Sequence, residues 1–125
     1  MITFKKLCCI GITCIGCSVS LVSVAFADWA AIAYNRNTGA SGKSWKYYSA
    51  KSARNAALDA CNENRCVAEM VFEDYCGALA RKRNNISIIF AGWSVNSLRE
   101  AGNNALAKCG EKCELVTSVC SNIDN

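Results

Sequence analysis

The chain has no histidine in 125 residues. Ser-His and Cys-His nucleophilic schemes therefore lack their usual base. A Ser-Lys scheme survives in principle, since both residue types are plentiful, but no spacing selects a pair. After residue 27 there is no Cys-x-x-Cys pair, although Cys109-x3-Cys113 has tolerable metal-ligand spacing. Six cysteines also suit one four-coordinate zinc poorly. Gly39-x-x-Gly42 falls short of the phosphate-loop pattern and opens no βαβ unit, so it reads as a hairpin turn. No cofactor is expected.

Charge is scarce in one long stretch. Leu7 to Val24 carries none, Lys5 and Lys6 precede it, and Ala25-Phe26-Ala27 offers small residues at the two positions a signal peptidase reads. Residues 1–27 are therefore expected to be a cleaved signal peptide. The 21 residues from Leu7 to Ala27 would also suffice for a membrane anchor. Cys17 after Ile15-Gly16 faintly resembles a lipid-attachment box, but Cys14 stands where an aliphatic residue belongs. Cleavage leaves residues 28–125 as one domain, exported to the periplasm or the exterior, with no membrane attachment. Lys5 and Lys6 leave with the signal, so 12 of the 14 basic residues then face 10 acidic ones. That balance is too small to imply nucleic acid.

What remains is rich in cysteine for its size: Cys61, Cys66, Cys76, Cys109, Cys113 and Cys120. An even count in a short exported domain predicts three disulfides, which a modest core needs.

The chain also repeats itself at an offset of 48. Trp45 answers Trp93, Ser49 answers Ser97, Ala53 answers Ala101, Ala57-Leu58 answers Ala105-Leu106, and Cys61 answers Cys109. Upstream the register slips by one, so Ala31-Ile32-Ala33 answers Ala78-Leu79-Ala80; downstream Cys66 answers Cys113. Two copies are too few for a solenoid. The expected fold is α+β: two pseudo-symmetric β-β-α-β repeats forming a mainly antiparallel sheet with two Ala-rich helices, stapled by disulfides.

The first repeat reads as strands 29–34 and 44–48, a helix capped by Ser49 or Ser52, and a return strand 66–75. The helix has a stripe of Ala50, Ala53, Ala57 and Ala60. On the return strand Ala68, Met70 and Phe72 share one face, and Glu69 and Glu73 the other. The second repeat reads as strands 76–81 and 86–93, a turn 82–85 between them, a helix and a last strand 113–120. Ile86, Ile88 and Phe90 are expected inward. Ser97-Leu98-Arg99-Glu100 matches a capping box, Leu98, Ala101, Ala105 and Cys109 form the stripe, and Gly110 sits at a left-handed stop. Equivalent cysteines suggest Cys61–Cys66 and Cys109–Cys113, leaving Cys76 with Cys120, although six cysteines allow fifteen connectivities.

Taken in order, Trp29-Ala30-Ala31-Ile32-Ala33-Tyr34, Gly39 and Gly42, Ala57-Leu58 with Cys61, Cys66, Cys76-Gly77-Ala78-Leu79-Ala80 and the second Ala-Leu-x-x-Cys at 105–109 resemble the bacterial family known as domain of unknown function 4189. The resemblance spans essentially all of residues 28–125. It implies a small exported protein with a signal peptide and no established common activity. This chain departs from it at Arg83-Asn84-Asn85, where the family tends to be Gly-rich.

Chemistry-bearing groups are few. Glu69 and Glu73, four apart on a strand, would stand about 13 Å apart, beyond the roughly 5–9.5 Å of glycosidase carboxylates; they read as a solvated face. Arg81-Lys82-Arg83 is the one basic run, placed at a hairpin tip where it could contact an acidic partner surface. Trp45, Tyr47, Tyr48 and Trp93 could form an aromatic surface, but the shared position of Trp45 and Trp93 favours core. These features predict a binding module, of the inhibitor or immunity type, acting on an unknown protein partner. The alternatives are a secreted effector acting on another cell, and a small carboxylate-dependent hydrolase.

Overall fold

The computed structural model describes residues 28–123 and 125. The expected signal peptide and its four cysteines lie outside the described residues. The elements run β1 (Trp29–Tyr34), β2 (Ser41–Tyr47), α1 (Ala50–Cys61), β3 (Val67–Glu73), β4 (Cys76–Lys82), β5 (Asn85–Ser94), α2 (Leu98–Cys109) and β6 (Cys113–Cys120). The two β-β-α-β units are thus present, and each builds its own antiparallel three-stranded sheet, in the orders β2-β1-β3 and β5-β4-β6.

The central strand of each sheet is apolar on both faces, which tells the layers apart. Ala31 and Ala33 of β1 pack against Ala53, Ala57 and Cys61 of α1. Ala78 and Ala80 of β4 pack against Ala101, Ala105 and Cys109 of α2. The opposite faces meet: Ala30, Ile32, Tyr34, Met70 and Phe72 of the first unit join Leu79 and Val119 of the second in one core. The order is therefore helix, sheet, sheet, helix. Alanine on the helix-facing sides keeps helix and sheet close. A Cβ on Gly42 would lie 2.4 Å from the Ala57 carbonyl oxygen, and one on Gly92 2.4 Å from that of Ala101.

Both helices start as local chemistry dictates. Ser49 Oγ accepts from Ser52 N, and Ser97 Oγ accepts from Glu100 N, each filling an orphan amide of the first turn. The capping box of α2 closes through a relay: Ser94 Oγ donates to Glu100 Oε1 at 2.5 Å and accepts from Ser97 N at 3.2 Å. The helix ends differ from expectation. Gly110 has φ 90°, ψ −143°, outside the left-handed helical region, whereas Asn62 closes α1 within it at φ 58°, ψ 36°.

Three further expectations are corrected. Ala60 and Leu98 are exposed, because each buried stripe steps by four to a cysteine, 53-57-61 and 101-105-109, whose disulfide holds it down. On β5 the central-core face carries Ile89 and Ala91, Phe90 packs on the α2 side, and Ile88 is exposed. On β3 the register with β1 jumps between Met70 and Ala68, leaving Glu69 as a bulge residue. Its carboxylate is held by Arg36 at 3.1 Å and is not a solvated neighbour of Glu73.

The six described cysteines form three disulfides: Cys61–Cys66, Cys76–Cys120 and Cys109–Cys113. None remains as a free thiol among the described residues. Two clip a helix end to the next strand. The third joins directly opposed residues of β4 and β6.

Candidate functional site

The chain crosses from the first sheet to the second through two residues, Asp74 and Tyr75. Asp74 takes φ 66°, a left-handed conformation that Asp tolerates better than most residues. The turn is fixed at its far end, where Tyr75 O accepts from Ser121 N at 3.0 Å and Cys76 is bonded to Cys120. Tyr75 is held with 46% of its surface exposed.

Trp93 stands beside it. In the β4–β5 register Trp93 lies opposite Gly77. A Cβ at Gly77 would come within 2.8 Å of the Phe72 ring, so the missing side chain is what admits that ring. Phe72 then meets Trp93 edge-to-face, with centroids 5.1 Å apart and planes at 84°. Tyr75 contacts the same indole at 6.4 Å and 78°. The neighbours of Trp93 are locked: Gly92 lies against α2, Ser94 Oγ is bonded to Glu100, and Asn104 Nδ2 donates to Trp93 O at 2.8 Å. Trp93 nevertheless keeps 38% exposure. Trp29, opposite Glu73 in the β1–β3 register, completes a cleft of about 530 Å³ lined by Trp29, Phe72, Glu73, Tyr75 and Trp93.

The cleft is an aromatic wall with one carboxylate. It offers apolar area, ring faces and a single negative charge. No nucleophile with an adjacent base lines it. No side chain among the described residues forms a salt bridge with Glu73.

A second concavity, about 540 Å³, lies at the end of α1 between Leu58, Asp59, Asn62, Glu63, Asn64 and Cys66. Glu63 there accepts from Asn35 Nδ2 at 2.8 Å and Thr38 Oγ1 at 2.5 Å. That carboxylate secures the β1–β2 turn to the helix end.

The basic run is largely occupied within the molecule. Arg81 belongs to β4, as the strand reading 76–81 expects, and Lys82 extends that strand rather than opening the turn. Arg81 Nε donates to Glu114 Oε2 at 2.8 Å, and its Nη1 to Gly39 O at 3.2 Å and Tyr34 Oη at 3.4 Å. Tyr34 and then Glu114 hold this guanidinium above its ordinary pKa. Lys82 Nζ donates to Cys109 O at 2.8 Å and Glu111 O at 3.1 Å, capping the C-terminal end of α2. Arg83 alone sits at the tip and is mostly exposed, 4.0 Å from Glu114.

The four aromatic candidates separate. Trp45 packs against the central core, with Lys43 Nζ 5.8 Å from its ring centroid. Tyr47 and Tyr48 are exposed and do not line the cleft. Only Trp93 enters it. Trp29, Phe72, Glu73 and Tyr75 do not stand out in the sequence as a site. They converge only through the sheet register and the 74–75 crossing, and the acidic-aromatic run from Glu73 to Tyr75 is the one local hint.

The model of the family described as "Domain of unknown function (DUF4189)" matches residues 29–120. Among solved structures, the chain is similar to the NMR structure of Rv1813c from Mycobacterium tuberculosis, with a TM-score of 0.57 and 23% sequence identity; the match covers 97% of this chain and 96% of that one. This likeness is one of fold. None of the curated proteins compared with the chain matches it.

Proposed function

We propose that this chain, which belongs to the family described as domain of unknown function 4189, is an exported protein-binding module of the inhibitor or immunity type. The observation that carries this reading is the rigidly supported aromatic cleft. Trp93 and Tyr75 are half-exposed yet fixed from behind by Phe72 and by the Cys76–Cys120 clip. Aromatic anchors held in place before contact lose little entropy on binding and are typical centres of interface energy. Three disulfides favour an oxidising compartment, consistent with export. Among the described residues no helix is long and apolar enough to cross a membrane.

The test is capture by the oxidised protein from envelope extract and from medium, in high salt, alongside the Trp93→Leu variant. The reading expects one stoichiometric partner, present with the native protein and depleted at least tenfold with the variant. A partner retained equally by both would place the contact elsewhere. Absence of any partner from both fractions would contradict a binding module.

A further inference from the structure

We infer that the cleft accepts a cation, namely a lysine or arginine side chain of the partner protein; this deepens the binding-module reading and rests on it. The argument comes from the internal duplication. Trp45 and Trp93 answer each other in the sequence repeat, and so do Lys43 and Ala91, two residues earlier on β2 and β5. The strands differ at the tryptophans: the β1–β2 register shifts at Trp45–Lys46, where Lys46 takes φ 62°, while the β4–β5 register is regular at Trp93. Lys43 pairs with Ile32 in the β1–β2 register and Ala91 with Leu79 in the β4–β5 register, again equivalent residues.

In the first unit the lysine places its ammonium 5.8 Å from the centroid of its own tryptophan and donates to Ser118 O at 3.1 Å. That tryptophan is satisfied from within. In the second unit the lysine is replaced by alanine, and the indole opens onto a cleft instead. The cleft supplies what a cation needs. Tryptophan is the strongest cation–π partner, Tyr and Phe contribute as well, and the attraction grows where water is displaced. Glu73 adds a carboxylate without a salt-bridge partner among the described residues, and no Lys or Arg lines the cleft. A neutral apolar anchor would find the aromatic wall but leave Glu73 desolvated and unpaired, which opposes its binding.

The three tryptophans give a built-in control. The oxidised protein is titrated with the N-acetyl N-methylamides of lysine, arginine and norleucine, following the indole N–H signals by NMR. The inference expects the Trp93 signal to shift saturably with both cations while Trp45 stays still. Norleucine should bind at least about tenfold more weakly, as expected for a cation–π contact reinforced by a carboxylate. Glu73→Gln should weaken the cations about tenfold, and Trp93→Leu, which keeps apolar contact but removes the ring, should abolish the preference for charge. Equal binding of norleucine, or an equal response at Trp45, overturns the inference. Tighter binding of tetramethylammonium than of either side-chain analogue makes a free quaternary ammonium the occupant and overturns the assignment to a partner side chain. The two levels also separate. A captured partner that stays bound to Glu73→Gln and Trp93→Leu sinks the cation site and leaves the binding module standing. Cations that bind while no partner is captured sink the module.

Discussion

The two halves of this molecule share a plan and differ in how closely the helix meets the sheet. Ser44 and Gly92 are equivalent, as are Ala53 and Ala101. In the first half Ser44 Oγ donates to Ala53 O at 2.6 Å, so the side chain bridges the gap between strand and helix. In the second half there is no gap: a Cβ at Gly92 would lie 2.4 Å from Ala101 O and 2.2 Å from Ala105 N. The close contact of the first half falls two strand residues earlier and one helical turn later, at Gly42 against Ala57 and Cys61. One duplicated plan has therefore settled into two packings, and equivalent positions are not interchangeable. Trp45 is partly buried against the central core and has its own cation, while Trp93, with Phe72 behind it across Gly77, is more exposed and faces the cleft.

The comparison can be broken most severely at the disulfides. Cys76–Cys120 spans a sequence separation of 44, against 5 and 4 for the two helix-end clips. Loop-closure entropy gives about 4 kcal/mol for the first and about 2 kcal/mol for each of the others. Denaturant unfolding of the paired Cys→Ala variants should reproduce this order, with Cys76→Ala/Cys120→Ala the least stable. Equal losses for all three would show that chain entropy does not govern them.

A smaller effect sharpens the packing difference. Gly92→Ser copies the residue of the first half into the second, and the backbone contacts it meets should make it destabilising by about 2–3 kcal/mol. Ser44→Ala, which removes only a hydrogen bond and leaves the Ala53 carbonyl to the helix, should cost about 1 kcal/mol. A tolerated Gly92→Ser would mean that the two halves pack alike at this position. The smallest contrast lies at the helix ends. Gly110→Asn should cost about 1–2 kcal/mol, because φ 90°, ψ −143° is a region that glycine alone enters easily. Asn62→Gly should be near neutral, since both residues accept the left-handed region. Thermal unfolding of both variants decides it.

Local chemistry is legible in the sequence, and relationships between strands are not. The duplication shows as residue identities at a fixed offset of 48, and both serine caps and the clips from each helix end to the next strand depend on residues a few positions apart. Alanine stripes place both helices, and the alternation in β3 places Met70 and Phe72 inside. The bulge at Glu69 is hidden, because one extra residue in a strand leaves no mark until its partner strand is known. Arg81 looks available for contact because its partners, Tyr34, Gly39 and Glu114, come from three distant segments. Trp93 looks like core because its twin position does. The two differ in that Ala91 stands where the first half has a lysine, Gly77 lies across the strand from Trp93, the Asp74–Tyr75 crossing lies beside it, and the register shift at Trp45–Lys46 has no counterpart at Trp93. None of these reads as functional in isolation.

The most direct measurement is hydrogen exchange of the oxidised protein with and without its captured partner. If the cleft is the contact surface, added protection should concentrate at Glu73–Cys76 and around Trp93, and leave the Arg83–Asn85 tip and the Trp45 segment unchanged. Protection centred on Arg83, with the cleft unaffected, would contradict the account and return the contact to the basic turn.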